Sequence, residues 1–158
     1  MEERYLCKAK RTDNGEWVVG SLISMPYGGY MIDCVADSRR FRVMVNPSTI
    51  CQCTGLKDKN DKLIWENDIV DFLGHKGVIK YECGSFGIAY KNIIDWDEIK
   101  SKIMSVTGCD NDLYACENDY FISLWEIYWN FNDKDDSVDT VEAIGNIFDN
   151  KDLLESEE

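Results

Sequence analysis

Short apolar runs separated by turn residues pattern the first half of the chain. Residues 4–10 (RYLCKAK) partly alternate and predict a first strand. Asp13-Asn14-Gly15 predicts a tight hairpin turn, because Asn and Gly tolerate positive φ. Beyond it, Trp17, Val18 and Val19 are β-formers. Tyr30 to Val35 and Phe41 to Val45 predict two further strands. In the second, Phe41, Val43 and Val45 share one face, and Arg42 and Met44 take the other. Asn46-Pro47 starts a turn, and Ile50 to Thr54 predicts another short strand.

Residues 54–70, TGLKDKNDKLIWENDIV, are dense in turn residues and apolar towards their end. Asp58 to Asp61 reads as a turn with Asn60 in the left-handed conformation. Leu63-Ile64-Trp65 is apolar, Glu66-Asn67-Asp68 is a second turn, and Ile69 to Phe72 leaves it as a strand. Gly74 to Gly77 predicts a third turn with the sole histidine, His75, exposed in it. Val78 to Glu82 follows as a strand, and Gly84 opens another that carries Phe86, Ile88 and Tyr90. Strands this short, with turns every roughly 8–12 residues, point to a small barrel or sandwich.

The period then changes. Trp96, Ile99 and Ile103 fall at helical spacing, with acidic residues early and Lys100 and Lys102 later. This predicts a helix over about 94–106, ended by Gly108. Residues 109–119 are polar and acidic. Residues 120–131 (YFISLWEIYWNF) carry two signals. Phe121, Leu124, Trp125, Tyr128 and Trp129 fit a helical face, while the aromatic and β-branched content favours a strand, which is the expectation here. Residues 132–140 form an acidic loop, Val141 to Phe148 a closing strand, and 149–158 a fraying acidic tail.

Charge changes the picture. The chain carries 30 acidic and 17 basic residues, a formal net charge of −13. The first fifty residues are nearly balanced and residues 51–80 are neutral, so the whole excess lies in residues 81–158. Direct binding to nucleic acid is disfavoured, because phosphate contacts need Lys and Arg. No apolar run reaches the length of a membrane span, and the N-terminus MEERYLCKAK has no apolar signal segment. A cytoplasmic protein with seven reduced thiols is expected.

Motifs for catalysis or metal binding are wanting. Cys51 and Cys53, with Cys83 and His75, lack the paired spacing of a zinc site. Asp133, Asp135, Ser137 and Asp139 begin like a calcium loop, but Val138 and Ile144 stand where Gly and Glu are needed. His75 has no nucleophile motif beside it, and the GSFG at 84–87 lacks the ending of a phosphate loop. No cofactor, metal or catalytic residue is expected.

Three blocks give the chain a family resemblance. They are KAKRTDNGEWVVGSLI at 8–23, VNPSTICQCTGLKDKNDKLIWENDIV at 45–70, and VEAIGNIFDNKDLLE at 141–155. In this order they resemble the YopX-like proteins of phages and prophages. The departures are Asp61 and Asn67, each where that family has Gly, Lys151 where it has Pro, and Cys53 where it has an aromatic residue. Asp and Asn are the next-best residues after Gly at left-handed positions, so both turns should survive. The resemblance implies a mainly β (α+β) fold, with an SH3-like small barrel in the second half and an N-terminal β subdomain. The division expected is 1–50, then 51–150 with an acidic insertion at about 91–137, then a tail at 151–158. It also implies a phage or prophage origin and supplies no enzymatic activity.

The leading functional expectation is a non-catalytic accessory protein that binds a host protein, such as a defence or nucleic-acid-handling enzyme. Its acidic surface would stand in for phosphates in the DNA-mimicry version. The partner-binding candidates are Trp125, Tyr128 and Trp129 with Asp133, Asp135 and Asp136, together with Asp110 and Asp112, since aromatic rings beside steering charge suit a binding surface. Against this stands burial of the same rings in the core. The alternative is a nucleotide-like small ligand held in a cleft between β subdomains, with Arg39, Arg40 and Arg42 meeting phosphate and aromatic rings stacking on the base.

Overall fold

The computed structural model describes residues 3–92, 95–107, 120–131 and 137–155. The protein is mainly β, with two largely antiparallel sheets and few helices. The chain divides into two compact units, Met1–Gly55 and Leu56–Glu158.

The first unit holds β1 (Cys7–Lys10), β2 (Trp17–Ser24), β3 (Tyr30–Ala36), β4 (Arg39–Val45) and the start of β5 (Cys51–Asp58). Their order is β5-β1-β2-β3-β4, with every neighbour antiparallel. The expected turn between β1 and β2 forms as its residues dictate: Gly15 has φ +73, and the Asn14 carboxamide oxygen accepts from the Glu16 N–H at 3.0 Å. Asp37 and Ser38 both have positive φ and make the two-residue link from β3 to β4. The far end of β4 comes back beside the first hairpin, where Thr12 N–H donates to Met44 O and Asn46 N–H to Lys10 O. Asn46 also caps the turn at Pro47–Thr49, accepting from the Ser48 N–H. Ala9, Ile32, Cys34 and Val45 form the small core of this unit. The apolar face expected on β4 is graded, from Phe41 at 38% exposed to Val45 at 1%.

The second unit begins with the rest of β5 and continues through β6 (Leu63–Trp65), β7 (Asp68–Phe72), β8 (His75–Glu82) and β9 (Ser85–Ala89). Then come α1 (Trp96–Thr107), β10 (Phe121–Ser123), α2 (Leu124–Phe131), β11 (Ser137–Val138) and β12 (Val141–Asn146). Strands β7 to β10 form an antiparallel meander, and β12 returns beside β7, giving the order β10-β9-β8-β7-β12. Among the described residues nothing pairs β10 with β12, so the sheet is open and the expected closed barrel is not found. Its core gathers Phe72, Ile79, Ile88, Ile99, Ile122 and Ile127, with Val138 and Val141 closing it from β11 and β12.

The stretch at 54–70 is architecture. The Asp58 carboxylate is fully buried; its Oδ1 accepts from the N–H of Asn60 (2.9 Å) and of Lys62 (3.0 Å). Its Oδ2 accepts from the Ala143 N–H on β12 at 2.9 Å. Asp68, also buried, accepts from the Trp65 N–H at 2.9 Å and closes the next turn. Such charge-assisted bonds to backbone donors are what make an acidic residue tolerable in a core.

Several sequence expectations need correction. The left-handed residue of the first turn is Asp61 (φ +60), not Asn60, while Asn67 (φ +65) takes the role the Gly replacement implied. The third turn is Leu73-Gly74, and His75 already belongs to β8. Gly77 serves instead as a close-approach residue, since a Cβ there would lie 2.4 Å from Ile88 Cγ2. Strand β12 ends at Asn146, and residues 151–154 form a short 3-10 turn rather than a fraying tail, with Lys151 at its first position. The expected helix stop at Gly108 lies outside the described residues. We expect Asp61→Gly to stabilise the protein by about 0.5 kcal/mol, because Gly removes the left-handed penalty of a side chain that is exposed. A urea titration showing a lower midpoint for the variant would contradict this.

Candidate functional site

Residues 120–131 are a three-residue strand running straight into a helix, not the strand expected. The switch occurs at Ser123, whose Oγ accepts from the Trp125 N–H at 3.2 Å and caps α2. Ser123-Leu124-Trp125-Glu126 is a capping-box pattern, the sequence signal that would have identified the helix. Leu124 and Ile127 point into the core, each at most 1% exposed. The helical period then leaves Trp125 and Trp129, four residues apart, on the outer side. They are 59% and 66% exposed, so burial in the core does not account for them. Tyr128 is half-buried against the core.

The three rings are mutually ordered. Trp125 and Tyr128 lie nearly parallel (13°) with centroids 6.0 Å apart. Trp129 stands close to perpendicular to both, at 5.3 and 5.9 Å. Such packing holds each ring in one orientation without burying it. The charge around them in sequence is one-sided: from residue 103 to 133 there are six carboxylates and no Lys or Arg. Of these, Glu126 lies on α2 itself and is half-buried. Asp110, Asp112, Asp133, Asp135 and Asp136 lie outside the described residues.

The arginine cluster is split by strand alternation. Arg39 falls on one face of β4 and Arg40 and Arg42 on the other. There the buried Asp33 of β3 accepts from Arg40 Nε with both oxygens at 2.9 Å, and Arg42 Nε stands 3.6 Å away. The Arg40 guanidinium holds the Asp33 carboxyl below its ordinary value. A phosphate at this point would have to displace a carboxylate already bonded.

Sequence reasoning missed one polar cluster, at the foot of α1. Asp95 caps that helix, its Oδ1 accepting from the N–H of Asp97 and Glu98 at 3.1 Å. Lys102 Nζ donates to Leu73 O at 3.0 Å, pairs with Glu98 at 2.7 Å, and lies 3.4 Å from His75 Nε2. The two glycines near His75 suggested an exposed turn and hid this tie to β8. Lys102 holds the Glu98 carboxyl below its ordinary value. A depressed carboxylate contributes stability that is present at neutral pH and lost as pH falls through the folded value. The protection of α1 amides, taken relative to their intrinsic exchange rate at each pH, should therefore fall in acid, and Lys102→Met should reduce that fall.

Among the described residues no three His, Cys, Asp or Glu side chains are grouped as a metal ion requires. Cys51 and Cys53 are fully buried two residues apart on β5, and Cys83 lies exposed in the turn between β8 and β9. No described helix is long and apolar enough to cross a membrane. A protein-family model described as YopX protein matches residues 8–155, nearly the whole chain. No curated protein matches the chain.

Proposed function

The chain belongs to the YopX protein family, and on that footing we propose that it is a non-catalytic phage or prophage accessory protein acting in the cytoplasm of a bacterial host. It works by binding a host protein, for which a nucleic-acid-handling or defence enzyme with a basic channel is the fitting type. The observation that carries this reading is the pair of exposed, oriented tryptophans on α2 within a stretch that has carboxylates and no cation. Aromatic anchors supply binding energy, and surrounding charge supplies steering. For the second unit we adopt the SH3-like reading. The return of β12 beside the first strand of a four-strand meander supports it. The nucleotide reading draws less support, since two of its three arginines are engaged by Asp33.

The test is capture of partners from host lysate by the tagged chain at low and high salt, beside a variant with Asp133, Asp135 and Asp136 changed to Lys. A protein held by the wild type at low salt, released at high salt and lost by the variant is the expected result. Capture indifferent to both salt and charge reversal overturns the acidic-surface reading.

A further inference from the structure

Among the described residues, rings near the N-terminus and rings on α2 differ in what lies over them. Those near the N-terminus carry cations from their own chain. Lys8 Nζ and Lys10 Nζ lie over the Trp17 ring at 5.2 and 5.5 Å, and the Arg4 guanidinium lies over Tyr5 at 5.0 Å. On α2 Trp125 and Trp129 are 59% and 66% exposed beside their contacts with each other and with Tyr128, and among the described residues no cation lies over them.

We propose that the α2 face recognises arginine side chains, so that the partner docks an arginine-bearing segment across Trp125 and Trp129. This rests on the partner-binding reading above and specifies its chemistry. The negative face of an indole attracts a cation, and tryptophan does so best of the aromatic residues. A guanidinium is planar and weakly hydrated, so it stacks on an indole at lower desolvation cost than an ammonium does. Trp125 and Trp129 are one helical turn apart, with ring centroids 5.3 Å from each other, so one extended basic segment can reach both. The same charge that draws arginine excludes the ligand that otherwise favours stacked aromatics. A single-stranded nucleic acid would bring its phosphates to a helix that carries Glu126 and lies in a stretch of sequence, residues 103 to 133, without Lys or Arg.

The test is a tryptophan-fluorescence titration of the full chain. The ligands are an arginine-rich peptide, a lysine-rich peptide of equal length and charge, and a single-stranded oligonucleotide. The arginine peptide should bind at least about threefold tighter than the lysine peptide, and the oligonucleotide should not bind. In Trp125→Ala/Trp129→Ala, followed by peptide fluorescence or calorimetry, arginine affinity should fall by roughly 5- to 30-fold and the preference over lysine should vanish. Trp125→Phe/Trp129→Phe keeps an aromatic surface and should fall between the two. It decides the matter should the alanine pair fail to fold. Equal affinity for the two peptides, an arginine preference that survives in the alanine pair, or tighter binding of the oligonucleotide overturns the proposal. If lysate capture depends on the tryptophans while the peptides bind equally, this inference fails and the partner-binding reading stands. If nothing is captured while the arginine preference holds, the reverse is true.

Discussion

Asp58→Ala is expected to destabilise the second unit by about 4 kcal/mol, the largest single loss in this protein. Three backbone N–H groups, those of Asn60, Lys62 and Ala143, donate to this one carboxylate. Asp58 is fully buried, so water cannot replace the lost acceptors at no cost. Hydrogen bonds to a charged group contribute about 1.5–3 kcal/mol each, and some relaxation of the turn recovers part of the sum. Because small proteins are stable by only about 5–15 kcal/mol, such a variant should be partly unfolded near body temperature. Asp58→Asn separates the contributions. Its amide oxygen can still accept from Asn60 and Lys62, but its NH₂ then faces the Ala143 N–H, donor to donor. About 2 kcal/mol of loss is expected for it. Urea unfolding followed by circular dichroism checks both, and equal, small losses for the two variants would contradict the assignment.

Gly87→Ala should cost about 3 kcal/mol by overpacking. A Cβ at Gly87 would sit 2.3 Å from Phe121 Cζ and 2.5 Å from the backbone oxygen of Ile122. The phenyl ring can turn aside. The carbonyl cannot, because β10 is only three residues long and Ser123 pairs directly with Gly87. The strand that leads into α2 would be pushed off β9. The variant should therefore lose thermal stability and also free the helix that carries the tryptophans. A melting temperature within about 2 °C of the wild type would show that β10 is not seated as described.

What the sequence made legible was mostly turn chemistry. The family resemblance put Gly at the places of Asp61 and Asn67, and both have positive φ, although residue type alone had pointed to Asn60 in the first turn. The first hairpin, the two-faced β4 and helix α1 were readable because local residue type and period decide them. What failed depended on competition or on partners distant in sequence. At 120–131, aromatic content argued for strand, whereas the Ser123 cap and the inward spacing of Leu124 and Ile127 decided for helix. The arginines looked like one patch until alternation divided them and Asp33, on another strand, engaged two. The core role of Asp58 was invisible because its third donor comes from Ala143, 85 residues away. The candidate site was half-legible: the rings could be named, but their exposure could not, because period alone does not say which helical face the rest of the fold will cover.

In the proposed reading, turn residues and buried carboxylates build the scaffold, while Trp125 and Trp129 face a partner. One paired measurement tests it most directly: the melting temperature and the lysate capture of Trp125→Ala/Trp129→Ala beside the wild type. Stability within about 2 kcal/mol of the wild type is expected, the loss confined to the ring–ring contacts, together with loss of the salt-sensitive partner. A large drop in melting temperature, or a partner captured as well as before, would contradict it.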